Sequence, residues 1–140
     1  MHAPRVVLDT NVLVAALHSR RGRAFQLLSL VGTGHFDTAV SVPLVFEYED
    51  VLARETIGIP TAAAVDVIDY LCLVSHRQEV HFLWRPFLKD PKDDLVLELA
   101  VASQSTIIVT YNIKDFEGGA SFGVRALRPA GLLAELGVKL

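Results

Sequence analysis

The chain has a single cysteine and no long uninterrupted apolar segment, and each shortage excludes a class of protein. Among its 140 residues only Cys72 carries a thiol, so an internal disulfide and a zinc site built from several cysteines are both impossible. No apolar run approaches the roughly 20 residues that a membrane-spanning helix needs. Asp9 interrupts the first apolar segment, which a signal peptide does not tolerate. We therefore expect a cytoplasmic protein with no membrane contact.

The chain also lacks an excess of positive charge. Its 13 Lys and Arg residues against 16 Asp and Glu residues give a net charge of −3, which excludes a protein that coats nucleic acids with a basic surface. A hydrophobic content of 51% excludes disorder and favours a homodimer or a tight protein partner. The length predicts one domain spanning residues 1–140.

Short β-branched segments alternate with helical patterns along the chain. Strands are predicted at residues 5–8, 38–42, 106–109 and 124–127, and helices at residues 12–17, 24–31, 44–53, 61–74, 93–103 and 129–136. Loops are predicted at 85–91 and 116–121, and segment 80–83 is ambiguous. This alternation predicts an α/β fold with a mainly parallel sheet and helices on both faces.

Two acidic residues follow predicted strands. Asp9 comes directly after strand 5–8, and Asp115 lies in the segment after strand 106–109. In a parallel sheet the carboxyl ends of the strands meet at one edge, where ligands bind. Taken alone, each residue has a simpler explanation, because Asp caps helices and occurs in polar turns.

A second group of acids precedes the predicted helix 93–103. Asp90, Asp93 and Asp94 lie within five residues, which is more than the capping of one helix requires. Glu47 is a further candidate, although a solvated helix face also explains it. Hard oxygen ligands without cysteine or a histidine pair favour Mg²⁺ or Mn²⁺ over zinc. Such ions suit phosphodiester hydrolysis, because they activate water and stabilise the leaving oxygen.

Four segments, in this order, resemble the motifs of PIN-domain nucleases. They are Asp9-Thr10-Asn11-Val12-Leu13, the segment around Glu47 from Phe46 to Leu52, Asp90-Pro91-Lys92-Asp93-Asp94, and the segment from Val109 to Phe116. The match covers nearly the whole chain and is closest to the toxins of toxin–antitoxin systems. The resemblance implies a three-layer α/β/α sandwich, a metal-dependent ribonuclease acting on single-stranded RNA, and an antitoxin protein as a partner.

The resemblance also implies roles for individual acids. Asp9, Glu47, Asp93 and Asp115 would be the catalytic acids that hold one or two Mg²⁺ or Mn²⁺ ions. Asp94 is a further metal ligand, or the substitute for Asp93. Asp93 is the preferred ligand, because Asp-Pro-x-Asp is the recurring part of this motif.

Polar neighbours are predicted to surround these acids. Thr10 and Thr110 would orient carboxylates through hydrogen bonds, with Asn11 and Asp90 in supporting positions, although turns and caps also explain the two hydroxyls. Asn112 stands where many relatives carry an acid. An amide is a weaker ligand, which leaves open whether a second ion binds.

Candidate RNA contacts lie in the basic loop after the first helix. Arg20, Arg21 and Arg23, with Lys114 in the last motif, are positioned to contact phosphates, although an ordinary solvated loop also explains the arginines. The helical segments 43–54 and 61–74 are possible surfaces for a second copy or an antitoxin, and core packing is their simpler use.

Two other functions are consistent with the acids. Asp9 could be the nucleophile of a phosphotransferase or phosphatase, although Asn11 stands where such enzymes often carry a second acid. A non-catalytic binding module with a degenerate site is the other alternative, and Asn112 favours it. With four of the 16 acids assigned to metal ions, the 13 bases outnumber the remaining acids, so the charge of −3 does not exclude an RNA substrate.

Overall fold

A five-stranded parallel sheet forms the centre of the described structure. The computed structural model describes residues 3–81 and 88–138. The strands are β1 Arg5–Leu8, β2 Asp37–Val40, β3 His76–Arg77, β4 Ile107–Val109 and β5 Arg125–Leu127. Their order is β3-β2-β1-β4-β5, and every neighbouring pair is parallel. The central strand β1 therefore has hydrogen-bonded neighbours on both sides.

Helices connect these strands. They are α1 Thr10–His18, α2 Arg23–Ser29, α3 Val42–Leu52, α4 Thr61–Val74, α5 Pro91–Ala102 and α6 Pro129–Glu135, with a 3₁₀ helix at Ile113–Phe122. This architecture confirms the predicted α/β fold with its parallel sheet. Within residues 3–81 and 88–138, no helix has the length and apolar character needed to span a membrane.

The core is centred on β1 and β4. Val6, Val7, Ile108 and Val109 are fully buried, as expected for interior strands covered on both faces. Tyr48 of α3 is also buried, and its hydroxyl donates a hydrogen bond to the carbonyl of Leu8 at 2.5 Å. This bond fixes α3 against the carboxyl end of β1, which is the end where the candidate site lies.

Two elements differ from the sequence prediction. Strand β3 was not predicted, because two exposed residues are too short for a hydrophobic pattern. The predicted loop 116–121 lies inside the 3₁₀ helix. Its Gly119 is buried, and a Cβ atom there would lie 3.2 Å from Leu97 Cδ1. That glycine therefore allows close packing against α5 and does not mark a loop.

Two smaller expectations also change. Helix α5 begins at Pro91 and Asp90 is its N-cap, so neither Asp93 nor Asp94 caps it. Cys72, interpreted as a core residue, is half-buried at the edge of the core. The ambiguous segment 80–83 and the predicted loop 85–91 fall partly on residues 82–87, which lie outside the described residues.

Candidate active site

Asp9 lies where β1 ends and α1 begins, and both of its carboxylate oxygens accept hydrogen bonds. Oδ1 accepts from the backbone N–H of Thr10 at 2.9 Å, which makes Asp9 the N-cap of α1. Oδ2 accepts from the hydroxyl of Thr110 at 2.8 Å. Its backbone N–H donates to the carbonyl of Val109 at 2.9 Å, so β1 and β4 together fix the position of this carboxylate.

The pKa of Asp9 is raised above its ordinary value. Burial is the largest cause, because it disfavours the charged carboxylate. The hydrogen bonds from Thr110 and Thr10 act in the opposite direction, while the charges of Glu47 and Asp115 raise the pKa further. The electrostatic effect of these two acids shows that α3 and the 3₁₀ helix bring their carboxylates towards Asp9.

Thr110 links the ends of β1 and β4. It is fully buried, and its Oγ1 accepts from the backbone N–H of Asn112 at 3.0 Å and from Asn11 Nδ2 at 3.4 Å while donating to Asp9. Asn11 Oδ1 in turn accepts from the backbone N–H of Tyr111 at 3.3 Å. The orienting hydroxyl is therefore that of Thr110, whereas Thr10 contacts Asp9 only through its backbone N–H.

Asp93 lies in the first turn of α5. Its pKa is raised to about 7, first by burial and then by the charges of Asp9, Asp90, Asp115 and Asp94. Burial and the nearby negative charges both disfavour the ionised form of Asp93, and a bound cation would favour it. The same helix start is capped by Asp90, whose Oδ1 accepts from the backbone N–H of Lys92 at 2.9 Å.

Asp94 has a different environment from Asp93. It is buried to 1% exposure, and its Oδ1 accepts a hydrogen bond from the backbone N–H of Leu88 at 2.8 Å. This contact directs that oxygen towards the segment before α5. Of the two neighbouring acids, Asp93 is the one whose pKa is affected by Asp9 and Asp115, whereas Asp94 accepts a bond from the N–H of Leu88. A metal-ligand role stays a prediction for both.

Four carboxylates from four parts of the fold are linked by these effects, since the charges of Glu47 and Asp115 raise the pKa of Asp9, and the charges of Asp9 and Asp115 raise the pKa of Asp93. Asp9 follows β1, Glu47 lies on α3, Asp93 on α5 and Asp115 on the 3₁₀ helix, where its N–H donates to the Asn112 carbonyl at 3.1 Å. In the part of the chain that the structure describes, no three His, Cys, Asp or Glu side chains form a metal cage as they stand. The oxygen donors nevertheless suit Mg²⁺ or Mn²⁺, since these ions would offset the repulsion that raises the pKa values of Asp9 and Asp93.

The predicted RNA contacts divide into two groups. Arg20 and Arg21 lie between α1 and α2, and Arg23 is the first residue of α2. All three are exposed, and none is among the groups that shift the pKa of Asp9 or Asp93. Lys114 directly precedes Asp115 in the 3₁₀ helix. It lines a cavity of about 330 Å³ together with Tyr111, Asn112, Ile113, Asp115 and Arg128.

Sequence reasoning did not identify Tyr111 or Arg128. The sequence position of Arg128 could have identified it, because Arg128 directly follows the predicted strand 124–127 and so lies at the same edge of the sheet as Asp9.

Comparison with known proteins agrees with this geometry. The chain matches the family model of the PIN domain over residues 5–114, a range that contains Asp9, Glu47 and Asp93 and ends one residue before Asp115. The solved structure of VapBC2 from Rickettsia felis, bound to a DNA fragment from its own promoter, has a similar fold, with a TM-score of 0.61. That likeness covers 89% of this chain and 98% of the other at 15% identity. No curated protein sequence matches. The chain therefore belongs to the PIN-domain family, a family of nucleases.

Proposed function

We propose that this protein is a metal-dependent endoribonuclease that hydrolyses phosphodiester bonds of single-stranded RNA. The observation that carries the proposal is the group of carboxylates Asp9, Glu47, Asp93 and Asp115, in which burial and the charges of neighbouring acids raise the pKa values of Asp9 and Asp93. Carboxylates arranged in this way gain free energy by sharing a divalent cation. Nucleases of the PIN-domain family generally use such ions.

In this proposal Asp9, Glu47, Asp93 and Asp115 hold one or two Mg²⁺ or Mn²⁺ ions. The ions supply an activated water and positive charge for the developing oxyanion. The chain itself supplies orientation. Thr110 and the N–H of Thr10 hold the Asp9 carboxylate in place, and Asp90 holds the start of α5 that carries Asp93. An ordered ligand set costs less reorganisation when a cation binds.

The proposal is tested by cleavage of a labelled single-stranded RNA, with analysis of the product ends. We expect cleavage in Mg²⁺ or Mn²⁺, its loss in EDTA and its return when the ion is restored. The products should carry no 2′,3′-cyclic phosphate, because water is the nucleophile and not the ribose 2′-hydroxyl. Cleavage that survives chelation, or that leaves cyclic ends, would contradict the proposal.

The same preparation separates the two alternative functions. A phosphoryl adduct on Asp9 would indicate a phosphotransferase or phosphatase. The absence of both cleavage and saturable Mn²⁺ binding would indicate a non-catalytic binding module. Both Asp9 oxygens already accept hydrogen bonds, which lowers the nucleophilicity of this carboxylate and supports the hydrolase.

We further propose that the protein is the toxin of a toxin–antitoxin pair, acts in the cytoplasm and has an antitoxin protein as its partner. The motif resemblance to such toxins supports this role, and the similar fold of VapBC2 is consistent with it. Expression of the chain alone should then arrest growth, whereas expression of Asp9→Asn should not. Equal growth with both variants would contradict the toxin role and leave the ribonuclease proposal to its own assay.

A homodimer is the other partner that we propose. Two neighbouring helices expose large apolar side chains, namely Val42 (67% exposed) and Phe46 (64%) on α3 and Leu73 (78%) on α4. Core packing therefore accounts for only part of the apolar character of these helices. A second copy of the chain would remove such side chains from water.

A further inference from the structure

A surface cavity lies beside the acidic cluster, at the carboxyl ends of β4 and β5. Its volume is about 330 Å³, and its lining residues include Tyr111, Lys114, Asp115 and Arg128. Asp115 belongs to both places, since its charge also raises the pKa values of Asp9 and Asp93. The cavity is therefore adjacent to the carboxylates that would hold the metal.

The backbone fixes the position of the cavity. Leu127 pairs with Val109, and the N–H of Thr110 donates to the Leu127 carbonyl at 2.9 Å. This register places Arg128, the next residue of the chain, beside the segment that starts with Tyr111. Two cationic side chains and one aromatic ring thus reach one cavity from two neighbouring strand ends.

The two cationic side chains of this cavity have no protein partner in the described part of the chain. In residues 3–81 and 88–138, neither Lys114 nor Arg128 makes a side-chain hydrogen bond or an ion pair, and both are exposed. Arg128 also occupies the position before α6, where Ser, Thr, Asp and Asn are preferred, and it makes no side-chain capping bond. A residue that suits its local position so poorly is often present for function.

Tyr111 supplies a different kind of surface. Its backbone N–H is bound by Asn11, while 38% of the residue remains exposed at the cavity. An exposed aromatic ring next to two cations suits a ligand that carries both a flat base and a phosphate. Single-stranded nucleic acids are bound in this way, by stacking on aromatic rings and by Lys and Arg contacts to phosphates.

We propose that this cavity binds one nucleotide of the RNA strand next to the scissile phosphate. Arg128 and Lys114 hold its phosphate, and its base stacks on Tyr111. The inference rests on the proposed ribonuclease function and adds a nucleotide subsite to it. It also predicts a preference for single strands, because a base must leave its duplex stack to lie on the ring.

The test measures binding of a fluorescent single-stranded RNA of mixed sequence in Mg²⁺, using full-length chains that carry Asp9→Asn to prevent cleavage. Asn also caps helices well, so α1 should be retained. The variants are Arg128→Ser, Tyr111→Leu and Tyr111→Phe. Arg125→Ser is the matched control, because Arg125 lies at the amino end of β5, the strand that precedes Arg128, and forms an exposed ion pair with Glu135.

We expect Arg128→Ser to weaken binding and to reduce the dependence of log Kd on log salt by about 0.7, the contribution of one phosphate contact in a single strand. Arg125→Ser should leave both values unchanged. Tyr111→Leu should weaken binding roughly tenfold or more without changing the salt dependence. Tyr111→Phe keeps an aromatic ring and should bind as tightly as the parent. An oligomer of abasic sugar-phosphates has no base to stack on the ring, so Tyr111→Leu and Tyr111→Phe should bind it with equal Kd.

Two results would overturn the inference. If the unmodified chain cleaves RNA but Arg128→Ser and Tyr111→Leu bind like their parent, the subsite is wrong and the ribonuclease proposal stands. If the parent does not bind RNA and the unmodified chain does not cleave it, both proposals fail.

Discussion

At the scale of single residues, Asp9 serves the fold and the candidate site with different atoms. Its Oδ1 caps α1, and its Oδ2 is bound by the hydroxyl of Thr110. From the sequence, capping and metal binding were alternative explanations of this residue. The structure shows that the cap exists and that it also fixes the carboxylate beside the other acids, so the two explanations are compatible.

Replacement of Thr110 tests this arrangement. Thr110→Val keeps the shape of the buried side chain but removes the hydroxyl that binds Asp9. We expect a loss of roughly tenfold to a hundredfold in metal affinity or activity, as is typical when a group that orients a ligand is removed. The measurement is the Mn²⁺ concentration that gives half-maximal RNA cleavage. Thr106→Val, at an exposed position just before β4, is the control and should behave like the unmodified chain.

The raised pKa of Asp93 predicts a pH-dependent stability in metal-free solution. Its pKa in the folded chain is about 7, against an ordinary value of 3.8. The folded chain therefore holds this proton more tightly than the unfolded chain. The resulting stability is fully present below about pH 4 and is lost as the pH rises through about 7.

The comparison of the unmodified chain with Asp93→Asn isolates this effect. In thermal unfolding with EDTA, Asp93→Asn should be the more stable protein at pH 8, and the advantage should disappear towards pH 4. We expect a difference on the order of 1 kcal/mol, because solvent screens a partly exposed carboxylate. An identical pH dependence of the two proteins would show that Asp93 does not experience the repulsion described here.

At the scale of elements, the start of α5 connects helix stability to the site. Asp90 caps the helix through the backbone N–H of Lys92, and its charge acts on Asp93 one turn later. The cap and the charge are separable, since Asn retains the capping oxygen without the charge.

Substitutions of Asp90 therefore predict two different outcomes. Asp90→Ala should lower the free energy of unfolding by about 1 kcal/mol, because the cap is lost. Asp90→Asn should retain stability and lower the pKa of Asp93, measurable by carboxyl NMR titration in metal-free buffer. If the two variants have equal stability, the capping bond contributes little and Asp90 acts through its charge alone.

The elements differ in how well the sequence predicted them. β1 and α4 were predicted at their observed bounds, because each has a clear hydrophobic pattern between polar or turn residues. β3 was missed, because its two exposed residues gain their conformation by pairing with β2. The 3₁₀ helix was missed since Gly119, which indicated a loop, instead allows contact with α5.

The candidate site was predictable to a similar degree. Its acids were found because they follow strands or precede a helix in a recognisable order. The sequence motif favoured Asp93 over Asp94, and the structure adds a physical difference between the two, namely the burial of Asp94 and its bond from Leu88. Arg128 and Tyr111 were missed because their proximity depends on the register of β4 and β5.

At the scale of the whole molecule, apolar surface predicts self-association. The high hydrophobic content of 51% is only partly used in the core, because α3 and α4 still expose Val42, Phe46 and Leu73. We expect the chain to be a dimer by light scattering after size exclusion. Leu73→Asp should shift it towards the monomer, because a charge would then have to be buried in the interface.

A charge added elsewhere on the same helix controls for general effects. Ala62→Asp introduces the same carboxylate at an exposed position in the first turn of α4 and should leave the dimer intact. If the unmodified chain is monomeric at every concentration, or if Leu73→Asp leaves the dimer intact, the exposed apolar surface of α3 and α4 is not a dimer interface.

The net charge of −3 depends in part on the acids of the proposed metal site. Four of the 16 acids are the proposed metal ligands, and the charges among them act together with burial to raise the pKa values of Asp9 and Asp93. Affinity for an RNA backbone should therefore depend on the bound ions as well as on Lys and Arg.

The ribonuclease proposal is tested most simply by the initial rate of single-stranded RNA cleavage as Mn²⁺ is titrated, for the unmodified chain and for Asp9→Asn. We expect a rate that rises from zero in EDTA to saturation for the unmodified chain and stays near zero for Asp9→Asn. Robust cleavage by Asp9→Asn, or cleavage by the unmodified chain without a divalent ion, would contradict it.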